Sequence, residues 1–149
     1  MLNRIASLET QLKNTQQALR DNTAGDTAAA APVSRQAREL DRKLKELKDS
    51  LYNSDVQRDA GQDDIHYLNR FQDRLQGLGF GLAFAYAQLP NEVVAARLTE
   101  LRAALADYVA KFNELVRTDV AVFNKTAQEH GAPVLVAGAP VEVKAVAVR

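Results

Sequence analysis

The chain has 149 residues, 46% of them hydrophobic and 26% charged, which suffices for one domain with a real core. Nineteen basic residues cancel nineteen acidic ones, which argues against a nucleic-acid surface and against a polybasic membrane anchor. No apolar run approaches the roughly 20 residues that span a bilayer, and the lack of cysteine excludes disulfides and thiolate chemistry while leaving the compartment open.

In chain order, Met1 to Ile5 opens on a charged amphipathic pattern rather than a signal peptide. Ile5, Leu8, Leu12 and Leu19 then recur at helical spacing, with Thr15 in the missing core position, and predict a helix over 2–21. Asn22 to Ala31 reads as a flexible connection, bounded by Gly25 and Pro32. Ser34 is a good N-cap for a second helix over 34–54, with Ala37, Leu40, Leu44, Leu47 and Leu51 as its apolar stripe. The charges from Arg38 to Lys48 form its solvated side.

Asn53-Ser54-Asp55 weakens that helix, and Gly61 stops it. Asp63 or Asp64 caps a third helix over 63–88, striped by Ile65, Leu68, Phe71, Leu75, Leu78 and Leu82. Pro90-Asn91 makes a corner into a fourth helix over 91–130. Its stripe is Val94, Leu98, Leu101, Leu105, Tyr108, Phe112 and Leu115, broken only by Asp119 before Val122. The helix ends at His130-Gly131, with Pro133 blocking continuation. Beyond it, Val134, Val136, Val141 and Val143 follow a period of two, and 132–149 reads as an extended or disordered tail. The expected architecture is an all-α, antiparallel four-helix up-down bundle over 1–131 with one extra-long C-terminal helix and an extended tail.

At 1.5 Å per residue the fourth helix is on the order of 60 Å long, about twice the first two. Phe112, Leu115, Val116, Val122 and Phe123 therefore lack an evident partner and form the candidate interaction surface. The first helix also has no N-cap, because its stripe is under way by Ile5. Together these features lead us to expect a piece of a longer protein.

Chemistry is scarce. Gly77-Leu78-Gly79-Phe80-Gly81 resembles a dinucleotide loop only superficially, because such a loop must follow a strand and open a helix. Gly77 and Gly81 are expected to permit close helix packing instead. His66 and His130 lack the ligand spacing of a helical metal site and read as structural or surface residues. Asp119 is a polar residue in a core position, bonding to Asn124, Arg4 or a neighbouring hydroxyl, or marking where the fourth helix leaves the core. No catalytic, cofactor-binding or metal residues are expected.

Four segments carry a family likeness: Arg4 to Leu12, Ile65 to Leu75, the Leu89-Pro90-Asn91 corner, and Leu115 to Asn124. In order and spacing, residues 1 to 138 resemble the C-terminal helical region of bacterial sortilin-like, BNR-repeat β-propeller proteins, often described as glycosyl hydrolases. The resemblance implies an upstream propeller that carries any activity, and export of the parent. The propeller's Asp-box repeats are absent here, so no site residue carries over. The expected function is a non-catalytic accessory or scaffolding module. Its partner would be an upstream domain of the same parent, or a second copy of itself in a free-standing coiled-coil dimer.

Overall fold

The computed structural model describes residues 1–22, 27–52, 70–84 and 92–144. Every regular element among them is helical: α1 (Leu2–Asn22), α2 (Thr27–Leu51), α3 (Phe71–Phe84), and a long last helix. The last helix consists of α4 (Glu92–Leu115), a π-helical turn (Val116–Val120) and α5 (Ala121–Glu129). The chain is all-α, with the last helix the longest and a tail after it. The expected breaks and caps at Asn53 to Asp64, with His66, and the Pro90-Asn91 corner lie outside the described residues. The helices divide between two compact units, residues 1–46 with 109–149, and residues 47–108, where the sequence pointed to one bundle over 1–131.

In the first unit, α1 buries Ile5, Leu8, Leu12 and Thr15, each at most 2% exposed, as its spacing predicts. From α2 come Ala30, Val33, Ala37, Leu40 and Leu44. This helix begins at Thr27 rather than Ser34 and carries Pro32 inside it. The alanines at 28–31 favour helix, and Pro32, six residues in, costs that helix only the one bond to the Ala28 carbonyl. The chain thereby turns its expected loop into core, with Val33 fully buried.

The last helix departs from the expected stripe at one place. Buried positions run Phe112, Leu115, then Val120, Phe123 and Ala127. The step from 115 to 120 is five residues, which an α-helix cannot keep on one face and a π-turn can, since its bonds run from i to i+5. The π-helical turn at Val116–Val120 fills that interval. After it, Val120 and Phe123 face inward in place of Asp119 and Val122, and Val122 is 56% exposed. The candidate interaction surface is corrected accordingly. Phe112 and Phe123 are each 1% exposed, Leu115 is buried and Val116 is half-buried, so they are core of this unit. Burial of each Phe stabilises the fold by roughly 2–3 kcal/mol.

The C-terminus of α5 is closed as the sequence predicts. Gly131 has φ +64°, the Ala132 N–H donates to the Ala127 carbonyl at 2.8 Å, and the Gly131 N–H donates to Gln128 at 3.2 Å. These two bonds and the left-handed glycine make a Schellman motif, which frees the chain to leave the helix as an extended tail.

In the second unit, Leu47, Leu51 and Leu101 are buried. The Tyr108 hydroxyl donates to the Ser50 carbonyl at 3.3 Å, and the Tyr108 ring packs edge-on against Phe71, centroids 5.7 Å apart. Arg74 and Arg97 both pair with Glu100. The α3 stripe is not buried as expected: Leu75 is 46% and Leu82 38% exposed. The close helix packing expected at Gly77 and Gly81 is also not found. Among the described residues, nothing lies within 4 Å of where a Cβ would stand at either.

Candidate functional site

The most organised polar site is in the first unit, where three side-chain amides hold the tail. In an extended chain the N–H and C=O of one residue point to the same side, and those of the next residue to the opposite side. An Asn or Gln amide carries one acceptor and one donor group, and so matches one such residue. Asn124 of α5 accepts from the Leu135 N–H at 2.7 Å and donates to the Leu135 carbonyl at 2.9 Å. On the other side, Gln11 of α1 accepts from the Val136 N–H at 2.7 Å and donates to its carbonyl at 3.1 Å. Asn113 of α4 does the same for Val141, both bonds at 2.9 Å. The Arg4 guanidinium donates to the Ala139 carbonyl. The tail thus lies between α1 and the last helix, running antiparallel to both.

Alternation explains the assignment. Leu135 faces the last helix and its neighbour Val136 faces α1. Val141, an even six residues on from Leu135, returns to the last helix as alternation requires, while Ala139, whose carbonyl meets Arg4 of α1, is out of phase beside Gly138, where φ is +74°. Among the described residues of the tail one large side chain is sunk: Leu135 is 3% exposed, whereas Val134 is 41% and Val136 72% exposed. Thr15, 2% exposed, directs its hydroxyl at the Pro133 carbonyl from 3.5 Å, a weak contact. The tail expected to be extended or disordered is therefore an extended strap, anchored as far as Val141.

Of these residues, sequence reasoning named Arg4 and Asn124, but as partners of Asp119. It missed Gln11 and Asn113. A signal was present: Phe112-Asn113 and Phe123-Asn124 repeat the same pair, and each Asn adjoins a core Phe.

Asp119 sits in the π-turn and pairs with Lys43 of α2 at 2.5 Å, while the Thr118 hydroxyl donates to its other oxygen at 3.0 Å. Burial works to raise the Asp119 carboxyl, and the Lys43 ammonium and Thr118 hydroxyl outweigh it, so the group titrates below the ordinary carboxylate range. Beside it is a cleft of about 220 Å³ lined by Gln36, Glu39, Leu40, Thr118, Asp119 and Val122. That volume lies below the range of about 300–1,000 Å³ usual for small-molecule sites. Gln36 Oε1 is buried and has no hydrogen-bond partner among the described residues. Glu39 is committed to Arg42 at 2.6 Å, so the cleft holds no pair of carboxylates free for acid–base work.

Other candidates disperse. Gly77, Gly79 and Gly81 lie within helix α3, which leaves no loop to cradle a phosphate. His130 is the exposed C-cap residue of α5, and His66 lies outside the described residues. Among the described residues, no group of three or more His, Cys, Asp or Glu gathers for a metal. None of the helices there is long and apolar enough to cross a membrane. Among the described residues, exposed large apolar side chains occur in both units: Leu75, Phe80 and Leu82 on α3 and Val93 and Leu98 on α4 in the second, with Phe80 65% and Val93 75% exposed, and Leu2, Val122, Val134, Val136 and Val143 in the first. No protein-family profile, curated protein or solved structure matches the chain.

Proposed function

We propose that this chain is a non-catalytic helical accessory module that scaffolds or stabilises a larger BNR-repeat, glycosyl-hydrolase-like protein by protein–protein contact. The parent's identity rests on the sequence resemblance. The observation that carries the contact role is the exposure of Leu75, Phe80, Leu82, Val93 and Leu98 on α3 and α4 of the second unit. Contiguous apolar surface of this kind commonly marks an interaction site. Supporting this reading, Glu39, Glu100 and Asp119 are paired with Lys or Arg, and the charge balance is zero. Phe112, Leu115 and Phe123 are buried within the first unit, which weighs against a dimer completed through them.

The test supplies the propeller and this chain as separate polypeptides and measures association by titration calorimetry. A saturable 1:1 complex is expected, weakened at least tenfold by Phe80→Glu with Leu75→Glu, since about 1.4 kcal/mol corresponds to tenfold in affinity. Absence of binding, with no change in the propeller's melting temperature, would remove the accessory reading. Propeller binding unaffected by the two substitutions would move the contact away from this face.

A further inference from the structure

The glycines at 77, 79 and 81 belong to a longer run whose composition the contact role does not explain. Between Gln76 and Gln88 every residue is glycine, aliphatic or aromatic, and no charge occurs from Leu75 to Leu89. An apolar run of about 10–14 residues is a buried core helix, a signal-peptide core or a segment held at a membrane surface. This run follows the two helices α1 and α2, which removes the signal-peptide case. Its described part is no core helix either: from Leu75 to Ala83 no residue is buried, and Leu78 alone is half-buried. Open space adjoins the glycines, with nothing within 4 Å of a Cβ placed at any of the three.

The apolar side chains are also spread around the helix. At about 100° per residue, Leu75, Leu78 and Leu82 fall within about 60° of one another, and Phe80 stands about 140–160° from them. A helix apolar on every side suits a protein core or lipid. A protein partner covers one side of such a helix, so a contact on the leucine side leaves Phe80, 65% exposed, on the other. Lipid surrounds both. The turn before the run is polar, with Gln72, Asp73 and Arg74, and Arg74 is paired with Glu100. Leu75 to Phe84 span about 15 Å, about half of a hydrocarbon core roughly 30 Å thick, in keeping with the absence of a crossing helix among the described residues.

We propose that α3 is a membrane-surface helix, which enters one leaflet of a lipid bilayer from Leu75 onward and stops at Arg74. Apolar burial drives the association, because the run is uncharged and the adjoining Arg74 and Arg97 both pair with Glu100. Uncharged lipid therefore suffices, and salt has little effect. The inference does not rest on the accessory-module reading.

The test uses the full chain and vesicles of phosphatidylcholine. The chain has no tryptophan, so Phe80→Trp places a single reporter in the run. Its emission is expected to shift to the blue on adding vesicles and to be quenched by lipids brominated along the acyl chain. The unaltered chain sediments with the vesicles, and its partitioning changes less than about twofold between low and high salt. Phe80→Glu with Leu82→Glu, at exposed positions, keeps helicity by circular dichroism and weakens partitioning at least about tenfold. Failure of the unaltered chain to bind at millimolar lipid overturns the proposal. So does binding that the two glutamates leave unchanged, or binding that needs phosphatidylserine and is lost in salt. Should the glutamates lower helicity, quenching of the Phe80→Trp reporter decides alone. A reporter that responds to the propeller and not to vesicles makes this a protein contact, overturning the proposal while the accessory reading stands.

Discussion

Replacing Asn124 by alanine removes the two bonds to Leu135, at 2.7 and 2.9 Å, without touching the Phe123 packing beside it. Neutral, partly buried bonds of this kind contribute about 0.5–1.5 kcal/mol each, so Asn124→Ala should cost about 2 kcal/mol. The loss has a ceiling. Should the strap lift, the freed N–H and C=O of Leu135 hydrate, and what is forfeited beyond the bonds is Leu135 burial, about 2 kcal/mol. Urea unfolding followed by circular dichroism measures the loss, and amide hydrogen exchange locates it. Exchange at Leu135, Val136 and Val141 should accelerate far more than at Ile5, Leu44 or Phe112. Asn124→Asp should cost at least as much, because it sets a second oxygen against the Leu135 carbonyl. If Asn124→Ala matches the exposed control Lys125→Ala within about 0.3 kcal/mol, or speeds exchange evenly over the whole unit, the clamp is not what holds the tail.

The π-turn predicts a reversal of adjacent positions: Phe123→Ala should cost about 3–5 kcal/mol, and Val122→Ser no more than about 0.5 kcal/mol, in the same urea assay. An uninterrupted stripe through Val122 demands the opposite order. Asp119 has its carboxyl lowered in the fold, so its contribution is complete above the unfolded carboxylate value near pH 4 and is lost as pH falls through the folded value. Asp119→Asn should therefore cost about 1 kcal/mol at pH 7, where the pair is partly exposed, and flatten the stability profile below about pH 5. Gly138→Ala has room, with the Arg4 guanidinium 3.8 Å from the new Cβ, yet φ of +74° should make it cost about 1 kcal/mol and speed exchange at Val141.

Much of the fold was readable because burial imposes a period. The α1 stripe, the α2 stripe from Ala37 to Leu51, the last helix to within a residue at each end, and its Gly131 terminus all follow from spacing alone. The turn at Val116–Val120 did not, because two apolar series compete there. One runs Leu115, Asp119, Val122 at constant phase, the other Val120, Phe123, Ala127 one residue later. Choosing between them takes knowledge of what the helix faces: Lys43 on one side, and the strap on the other. The strap itself was read from its period of two but not placed, since amides that bind main chain leave no mark in the identity of what they bind. Pro32 misled for a different reason. It breaks helices in their middle, and α2 had begun early enough for it to fall near the start.

The five-residue step gives the last helix two independent phases along one rod. Phe112 and Leu115 set the orientation before it, Phe123 and Ala127 after it. Rewinding the turn as plain α-helix with every residue kept would turn the two parts by up to about 100° against each other. Asn113 and Asn124 stand on opposite sides of that joint, so such a rewinding would draw one of them off the strap. Deleting one residue, Thr118 for example, would instead leave Leu115 and Val120 four apart, an interval that plain α-helix keeps on one face.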